Sequence, residues 1–338
     1  MSTYMNPTKP PLTDVAAFLQ TLPNRQVIYC PNPGNAGDSL IAAATYQLFD
    51  EVGIRHRDVA WDEPFDATGQ VLLYGGGGNL TEQYPNARHF IERHHHSAKR
   101  LIVLPHTVQG HADLLRELGA NVHIFCREER SLDWVREQTA GPHVHLAPDL
   151  AFHLDHHALL GREAVAGTKA AGAMIRSLFR STMRRYGPNW MGYDTAWGLR
   201  RAWETSSIAL IALSRPQTKV LHALRVDDES PDAPVPPDNV DVSRIFEYGT
   251  QPRDVADRAA RGMLSYLNRY QRVVTNRLHG CIAAALLGKS VDFYANSYFK
   301  NEAVYRFCME DQYPNVRWHG EWTGTLPSSR KGRSPMRD

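Results

Sequence analysis

The sequence predicts an α/β protein built from two doubly wound sheets that face a cleft. Three observations carry that expectation. At 338 residues the chain exceeds the size at which a single core keeps growing, so two domains of about 150 residues are expected. Short apolar runs alternate with helices of about ten residues through the first half, and polar side chains collect where each run ends. The second half carries one complete unit between Arg272 and Tyr294: a buried strand at Val273 to Thr275, a polar corner, a small-residue helix stopped at Gly288, and a strand at Val291 to Tyr294.

Composition sets outer bounds. Hydrophobic residues make up 42% of the chain, enough for ordinary cores, and the net charge of +2 argues against a bulk polyanion such as nucleic acid. Met1 to Pro11 has no apolar stretch of signal-peptide length, and no run approaches about 18 uninterrupted apolar residues. Cys30, Cys126, Cys281 and Cys308 lie far apart with no CxxC spacing, as expected of buried thiols in a reducing compartment. A cytoplasmic protein is expected.

In chain order, Val27 to Cys30 is the first strand. It ends in Pro-Asn-Pro-Gly-Asn-Ala-Gly-Asp-Ser-Leu, and Leu40 to Val52 follows with helical periodicity. Gly34-Asn-Ala-Gly-Asp38 is neither GxGxxG nor a P-loop, since it lacks the third glycine and the lysine. Asp38 or Ser39 suits the N-cap of that helix; Asp38 equally suits a carboxylate aimed into the cleft, able to take a proton from a sugar hydroxyl. Val71 to Tyr74 runs into Gly75-Gly-Gly-Gly-Asn79, too many glycines for a mere turn. Close main chain or a bound substrate is the expected reason. Leu101 to Leu104 exits through Pro105-His106, Val122 to Cys126 through Arg127, Glu128 and Ser131, and His143 to Leu146 through Pro148-Asp149.

Histidines need sorting. His94-His95-His96, late in a helix near Lys99 and Arg100, reads as a solvated face. His153, His156 and His157 flank Asp155 without metal-ligand spacing, so no metal is expected there. His106 leaves a strand beside the glycines, which suits a side chain facing the cleft or a hydrogen-bonded structural residue.

Between Gly161 and Glu204 the α/β rhythm stops. Arg176, Arg180 and Arg184 run beside an apolar face, and the segment holds eight basic residues against three acids, with Trp190, Trp197 and Trp203. Such a helix suits an anionic membrane surface at the inner face of the plasma membrane, or packing between domains with its arginines solvated. Lys219 to Arg225 is the strand that opens the second domain, ending in Arg225-Val-Asp-Asp-Glu229, and Pro252 to Tyr270 is a long helix. The divisions that follow are 1–158, a basic and aromatic connector at 159–205, a second domain at 206–326, and a disordered tail at 327–338.

The corner of Asn276, Arg277 and His279 lies at the carboxyl end of a strand and at a helix N-terminus. A guanidinium fork, an imidazole and free N–H groups there suit a small anion, phosphate or carboxylate; Arg277 and His279 also suit bonds within the fold. Arg225 leaves a strand on the same edge.

Taken together, Gly34-Asn-Ala-Gly-Asp38, Tyr74 to Asn79, Cys126-Arg-Glu, Pro148-Asp149, Leu224 to Glu229 and Asn276-Arg-Leu-His279 resemble the polysaccharide pyruvyl transferase family. The resemblance runs from about Val27 to Met309 apart from the Gly161–Glu204 segment. It departs from the family's usual glutamine at Pro105-His106. It implies two Rossmann-like domains in a glycosyltransferase-B-like arrangement. It also implies transfer of pyruvate from phosphoenolpyruvate to two hydroxyls of a sugar, in an exopolysaccharide or its lipid-linked precursor. The Arg-Leu-His unit is associated with the phosphoenolpyruvate site, which carries over to Arg277 and His279.

The residues suit that chemistry. Phosphoenolpyruvate needs two cationic sites for its carboxylate and phosphate, expected from Arg225 and Arg277 with Asn276 beside them. His279 is the expected general acid, and Asp38 or Asp149 the group that orients or deprotonates the acceptor. Asn35, Gly37, Asp38, Gly76, Gly77, Asn79, His106 and Arg127 are expected on the acceptor side. No metal and no cofactor beyond the donor is demanded. Two other classes remain: a nucleotide-sugar glycosyltransferase, with Glu302 the nearest carboxylate for a ribose, and a non-catalytic carbohydrate-binding protein. Membrane contact, if the acceptor is lipid-linked, falls to Arg176, Arg180 and Arg184.

Overall fold

The computed structural model describes residues 11–161, 219–227, 229–230 and 233–324. The basic, tryptophan-bearing stretch with Arg176, Arg180 and Arg184 lies outside the described residues, as does the tail expected at 327–338.

Seven strands form the first sheet: β1 (Gln26–Cys30), β2 (Arg55–Asp58), β3 (Val71–Tyr74), β4 (Gly77–Leu80), β5 (Arg100–Val108), β6 (Val122–Cys126) and β7 (His143–Leu146). Their order is β2-β1-β3-β5-β6-β7, with β4 also on β5, and every pairing is parallel. Four more form the second: β8 (Val220–Ala223), β9 (Arg272–Thr275), β10 (Ser290–Phe293) and β11 (Val316–Trp318), ordered β11-β10-β9-β8 and again parallel. Near-continuous apolar runs such as Val71-Leu-Leu-Tyr74 and Leu101 to Leu104 suit strands covered on both faces. Parallel pairing puts all the strand exits of a sheet on one edge, which is why the polar corners gather there.

The sequence did not mark β2 or β11. Arg55-His-Arg-Asp58 is charged because β2 is an edge strand, where charge guards against further pairing. The glycines after β3 also differ from the expected exit, because the chain resumes pairing with β5 at Gly77. A Cβ on Gly75 would lie 2.5 Å from the Asn32 nitrogen, and one on Gly76 2.9 Å from the Pro105 oxygen. Close main chain is therefore the reason for those two.

Helix α1 (Val15–Gln20) precedes β1, and α2 (Ala36–Val52) follows it. Asn35, not Asp38 or Ser39, is the N-cap of α2. Its side chain accepts from the Gly37 N–H while Asp38 reaches back to the Asn35 N–H, closing a capping box. Buried over most of its surface, with Asp50 and Glu51 exposed near its end, α2 packs in the core that joins the two sheets. Among the described residues the other α-helices are α3 (Asn86–His94), α4 (Ala112–Glu117), α5 (Glu129–Gln138), α6 (His156–Gly161), α7 (Val242–Ile245), α8 (Arg253–Leu267), α9 (Leu278–Leu286) and α10 (Lys300–Val304).

One hydrophobic core holds α2 and β1 together with α8, α9 and β9. Polar ties cross the same junction: Arg253 pairs with Asp50, the Ser39 hydroxyl donates to the Gly249 carbonyl at 3.0 Å, and Arg261 Nε donates to the Leu159 carbonyl at 3.0 Å. The two sheets are thus held at a fixed relation by packed helices, and their polar edges meet.

His94 and His95 are buried, against the expectation of a solvated face. Ala87, Phe90, Ile91 and His94 form the apolar stripe of α3, and the His94 ring stacks 4.4 Å from Phe65. Burial pushes its pKa down to about 4. The four cysteines are buried and free. Among the described residues no helix is long and apolar enough to cross a membrane.

Candidate active site

Where the exits of both sheets converge there is a cavity of about 140 Å³. The loop after β1 brings Asn32, Asn35 and Asp38; β6 ends in Arg127; β8 ends in Arg225, Asp227 and Glu229; and the β9–α9 corner brings Arg277 and His279. Lys300, at the start of α10, completes the wall. This is the carboxyl edge at which open α/β sheets take ligands.

On the second sheet's side the cations are held by carboxylates. Asp227 bridges the two arginines, 2.7 Å from Arg225 Nε through one oxygen and 2.7 Å from Arg277 through the other. Arg277 also forms a two-pronged pair with Asp241, and Arg225 pairs with Glu229. Glu229 accepts further from Lys300 Nζ at 2.8 Å and from the Tyr84 hydroxyl at 2.6 Å. Burial would raise the Glu229 pKa, but Lys300 and Arg225 hold it well below the ordinary carboxylate range. Burial lowers Lys300 to about 8, partly opposed by Glu229. Helix α9 opens beside these cations with no side-chain cap from its N-cap residue, Arg277, leaving the positive end of its dipole toward the cavity.

The first sheet's side reaches His279. Its Nε2 lies 3.4 Å from Asp149 Oδ2, which also accepts from Arg127 at 2.7 Å. The other Asp149 oxygen accepts from the Ala151 N–H at 2.8 Å. Burial pushes Asp149 up, but His279 and Arg127 outweigh it and hold the carboxylate well below its usual range. A Cβ on Gly37 would lie 2.5 Å from His279 Nδ1, so the missing side chain is what seats the ring on α2. Asp38 accepts from Asn32 Nδ2 at 2.8 Å, and burial raises its pKa against the pull of His279.

The structure brings Asn35, Asp38, Asn79, Arg127, Arg225, Arg277 and His279 to one cavity. Others expected there lie elsewhere. His106 is fully buried, its Nε2 accepting from the Asn79 N–H at 3.1 Å, and burial lowers its pKa to about 3. It supports the wall instead of facing the acceptor. Asn276 is buried and structural: its side-chain oxygen accepts from the Arg225 N–H at 2.8 Å, and its carbonyl accepts from Asn301 at 2.7 Å. Asp149 is fully enclosed by Arg127 and His279, so it orients the imidazole and cannot reach an acceptor hydroxyl. Gly76 meets the Pro105 carbonyl, and Gly77 meets the Asn32 side chain.

Sequence reasoning missed Lys300, Tyr84 and Asn32. Lys300 sits within Ser297-Tyr-Phe-Lys300, past the β10 exit and one residue inside a helix, and nothing in its neighbours distinguishes it from a surface lysine. Asn32 was visible in the Pro31-Asn-Pro33 corner. Glu302 lies out on α10, 56% exposed and 3.7 Å from Arg306, away from the cavity. Among the described residues no cluster of three His, Cys, Asp or Glu side chains is arranged to hold a metal ion.

Chemically the arrangement offers two guanidinium groups and an ammonium held by Asp227, Asp241 and Glu229, an imidazole oriented by a buried carboxylate, and a second carboxylate with raised proton affinity. The family model for polysaccharide pyruvyl transferases matches residues 35–298. EpsO of Bacillus subtilis, whose name assigns it provisionally to pyruvyl transfer, is 26% identical over 314 residues, covering 88% of this chain and 89% of that protein. The crystal structure of a functionally uncharacterized Klebsiella pneumoniae protein superposes with a TM-score of 0.65 at 27% identity, covering 90% of this chain and 96% of the other.

Proposed function

The chain belongs to the polysaccharide pyruvyl transferase family, and from that premise we propose that it moves pyruvate from phosphoenolpyruvate to two hydroxyls of one sugar. The products are a cyclic pyruvate ketal, in an exopolysaccharide or its lipid-linked precursor, and inorganic phosphate. One observation carries the reading. Arg225, Arg277, Lys300 and His279 meet in a single small cavity at the uncapped start of α9. In this reading the two sheets are the halves of a glycosyltransferase-B-like architecture, one holding the donor and the other the acceptor.

The donor's carboxylate and phosphate are held by Arg225, Arg277 and Lys300, with the helix N-terminus adding N–H donors. The carboxylate takes the bridging position that Asp227 occupies between the two guanidinium groups. His279, oriented by Asp149, gives its proton to C3 of the enol as a sugar hydroxyl bonds to C2, and that hydroxyl's proton passes to Asp38. C3 becomes a methyl group. The C2–O bond to phosphate then breaks, the second hydroxyl bonds to C2, and its proton leaves with the phosphate. The rate enhancement comes from positioning and from fixed charge around the departing phosphate. Incubation with phosphoenolpyruvate and with UDP-sugars over the same panel of acceptor glycans tests the assignment. Phosphate release with phosphoenolpyruvate supports it, and transfer from a UDP-sugar alone overturns it.

A further inference from the structure

A groove of about 830 Å³, larger than the donor cavity, lies on the same edge of the first sheet. It adjoins that cavity through shared chain. Tyr298 and Phe299 line the groove and immediately precede Lys300, whose ammonium lies 4.8 Å from the centre of the Tyr298 ring. Thr81 lines it two residues after Asn79. From the groove's far wall α5 presents Glu129, Asp133 and Glu137 at i, i+4 and i+8, with Arg130 and Trp134 beside them.

The helix does not account for all of those acids. Glu129 at its start suits the macrodipole, but Glu137 stands in the last turn, where a carboxylate is disfavoured. Glu82 adds a fourth from the opposite wall. Arg130 is the one cation among the described residues lining the groove, and its guanidinium is placed over the Phe299 ring at 4.1 Å. Trp134 is fixed by donating to the Gly110 carbonyl at 3.0 Å, so its ring is held at a set angle. Two hydroxyls on the wall, of Thr81 and Tyr298, are buried with no hydrogen-bond partner among the described residues.

We propose that this groove binds the acceptor glycan over more than one sugar unit, and that the part it holds is neutral or amino-bearing. This rests on the pyruvyl-transfer reading above. Carboxylates accept from sugar hydroxyls and from ammonium groups, and fixed aromatic faces stack on the C–H faces of a pyranose. The same carboxylates repel uronates and phosphates, so donor and acceptor are sorted by charge: the anionic donor to the arginines, the uncharged sugars to α5. A lipid-linked acceptor must therefore point its diphosphate away from α5.

The test is calorimetric titration of the full chain with three probes: a neutral β-linked hexose tetrasaccharide, its amino-sugar counterpart and its uronate counterpart. Phosphoenolpyruvate is titrated separately. The wild type should bind the neutral or amino probe in preference to the uronate. Trp134→Ala should weaken that binding on the order of tenfold. Glu137→Lys, at an exposed position that leaves the fold alone, should shift preference toward the uronate. Phosphoenolpyruvate affinity should stay within about twofold in both variants, as for separate sites. Preference of the wild type for the uronate, binding unchanged in both variants, or no binding of any probe overturns the proposal. Failure of the donor reading shows separately, as absence of phosphoenolpyruvate binding to the wild type.

Discussion

His279 and Asp149, 130 residues apart in sequence, meet with Nε2 3.4 Å from Oδ2 at the junction of the two sheets. The carboxylate is wholly enclosed, is shared with Arg127, and has its pKa held well below the usual range by His279 and Arg127 against the effect of burial. It thus sets the orientation of the ring that reaches the cavity, while its own burial keeps it from touching substrate.

Asp149→Asn should therefore lower kcat by roughly a hundredfold or more, since the imidazole loses its anchor, with a smaller effect on KM for phosphoenolpyruvate. Asp149→Ala strands the buried Arg127 guanidinium and should also destabilise the fold by about 3–5 kcal/mol. Steady-state kinetics and urea unfolding read the two effects. Equal loss of kcat/KM through KM alone would argue that Asp149 only shapes the donor bed.

Lys300 supplies a pH dependence with a definite sign. Burial lowers it to about 8, so it is charged at neutral pH and loses its proton as pH rises through that value. The kcat/KM for phosphoenolpyruvate should fall above about pH 8, and Lys300→Met should remove that limb. Stability moves the opposite way. The folded state releases this proton before the unfolded state does, so the Lys300 contribution to stability rises with pH between about 8 and the unfolded value of roughly 10.4. A wild-type profile with the same alkaline limb in Lys300→Met would exclude the lysine from donor binding.

Gly37→Ala separates fold from site. Alanine gains about 1 kcal/mol of helix propensity in α2, whereas overpacking against the His279 ring costs about 1–3 kcal/mol. The melting temperature should change little while activity falls, because the ring must leave its seat. Full activity would show that the close approach of Gly37 and His279 is not required.

Asp227 competes with the donor. Its carboxylate sits between Arg225 and Arg277, partly exposed, with a pKa lowered by those arginines against the effect of burial. Asp227→Asn weakens that internal competitor and should tighten phosphoenolpyruvate binding severalfold. Weaker binding would mean that Asp227 positions the arginines instead of occupying the substrate's place.

Much of this arrangement could be read before any coordinates, for a physical reason. In a parallel sheet the strand exits share an edge, so Arg225, Arg277 and His279 had to gather on the second sheet and Arg127 and the Asp38 loop on the first; that the two edges meet follows from the packing of α2 against α8 and α9. Depth was harder to read. His106 lies within β5, which runs on to Val108, and Asn276 follows β9 as Arg277 does; both turn into the fold, because Asn79 and the Arg225 main chain take their hydrogen bonds. His94 misled because a polar ring at the fourth position of the Ala87-Phe90-Ile91 stripe is buried with the stripe. Lys300 was hidden by lying inside a helix, and Asp227 and Glu229 were seen as a motif but not as partners of two guanidinium groups.

The most direct test is calorimetric titration of the protein with phosphoenolpyruvate alone, comparing wild type with Arg277→Ala. We expect saturable binding to the wild type, weakened on the order of a hundredfold in the variant, as for loss of a buried charge partner. Absence of binding to the wild type, or equal affinity in a folded Arg277→Ala, would contradict the assignment of the cavity to the donor.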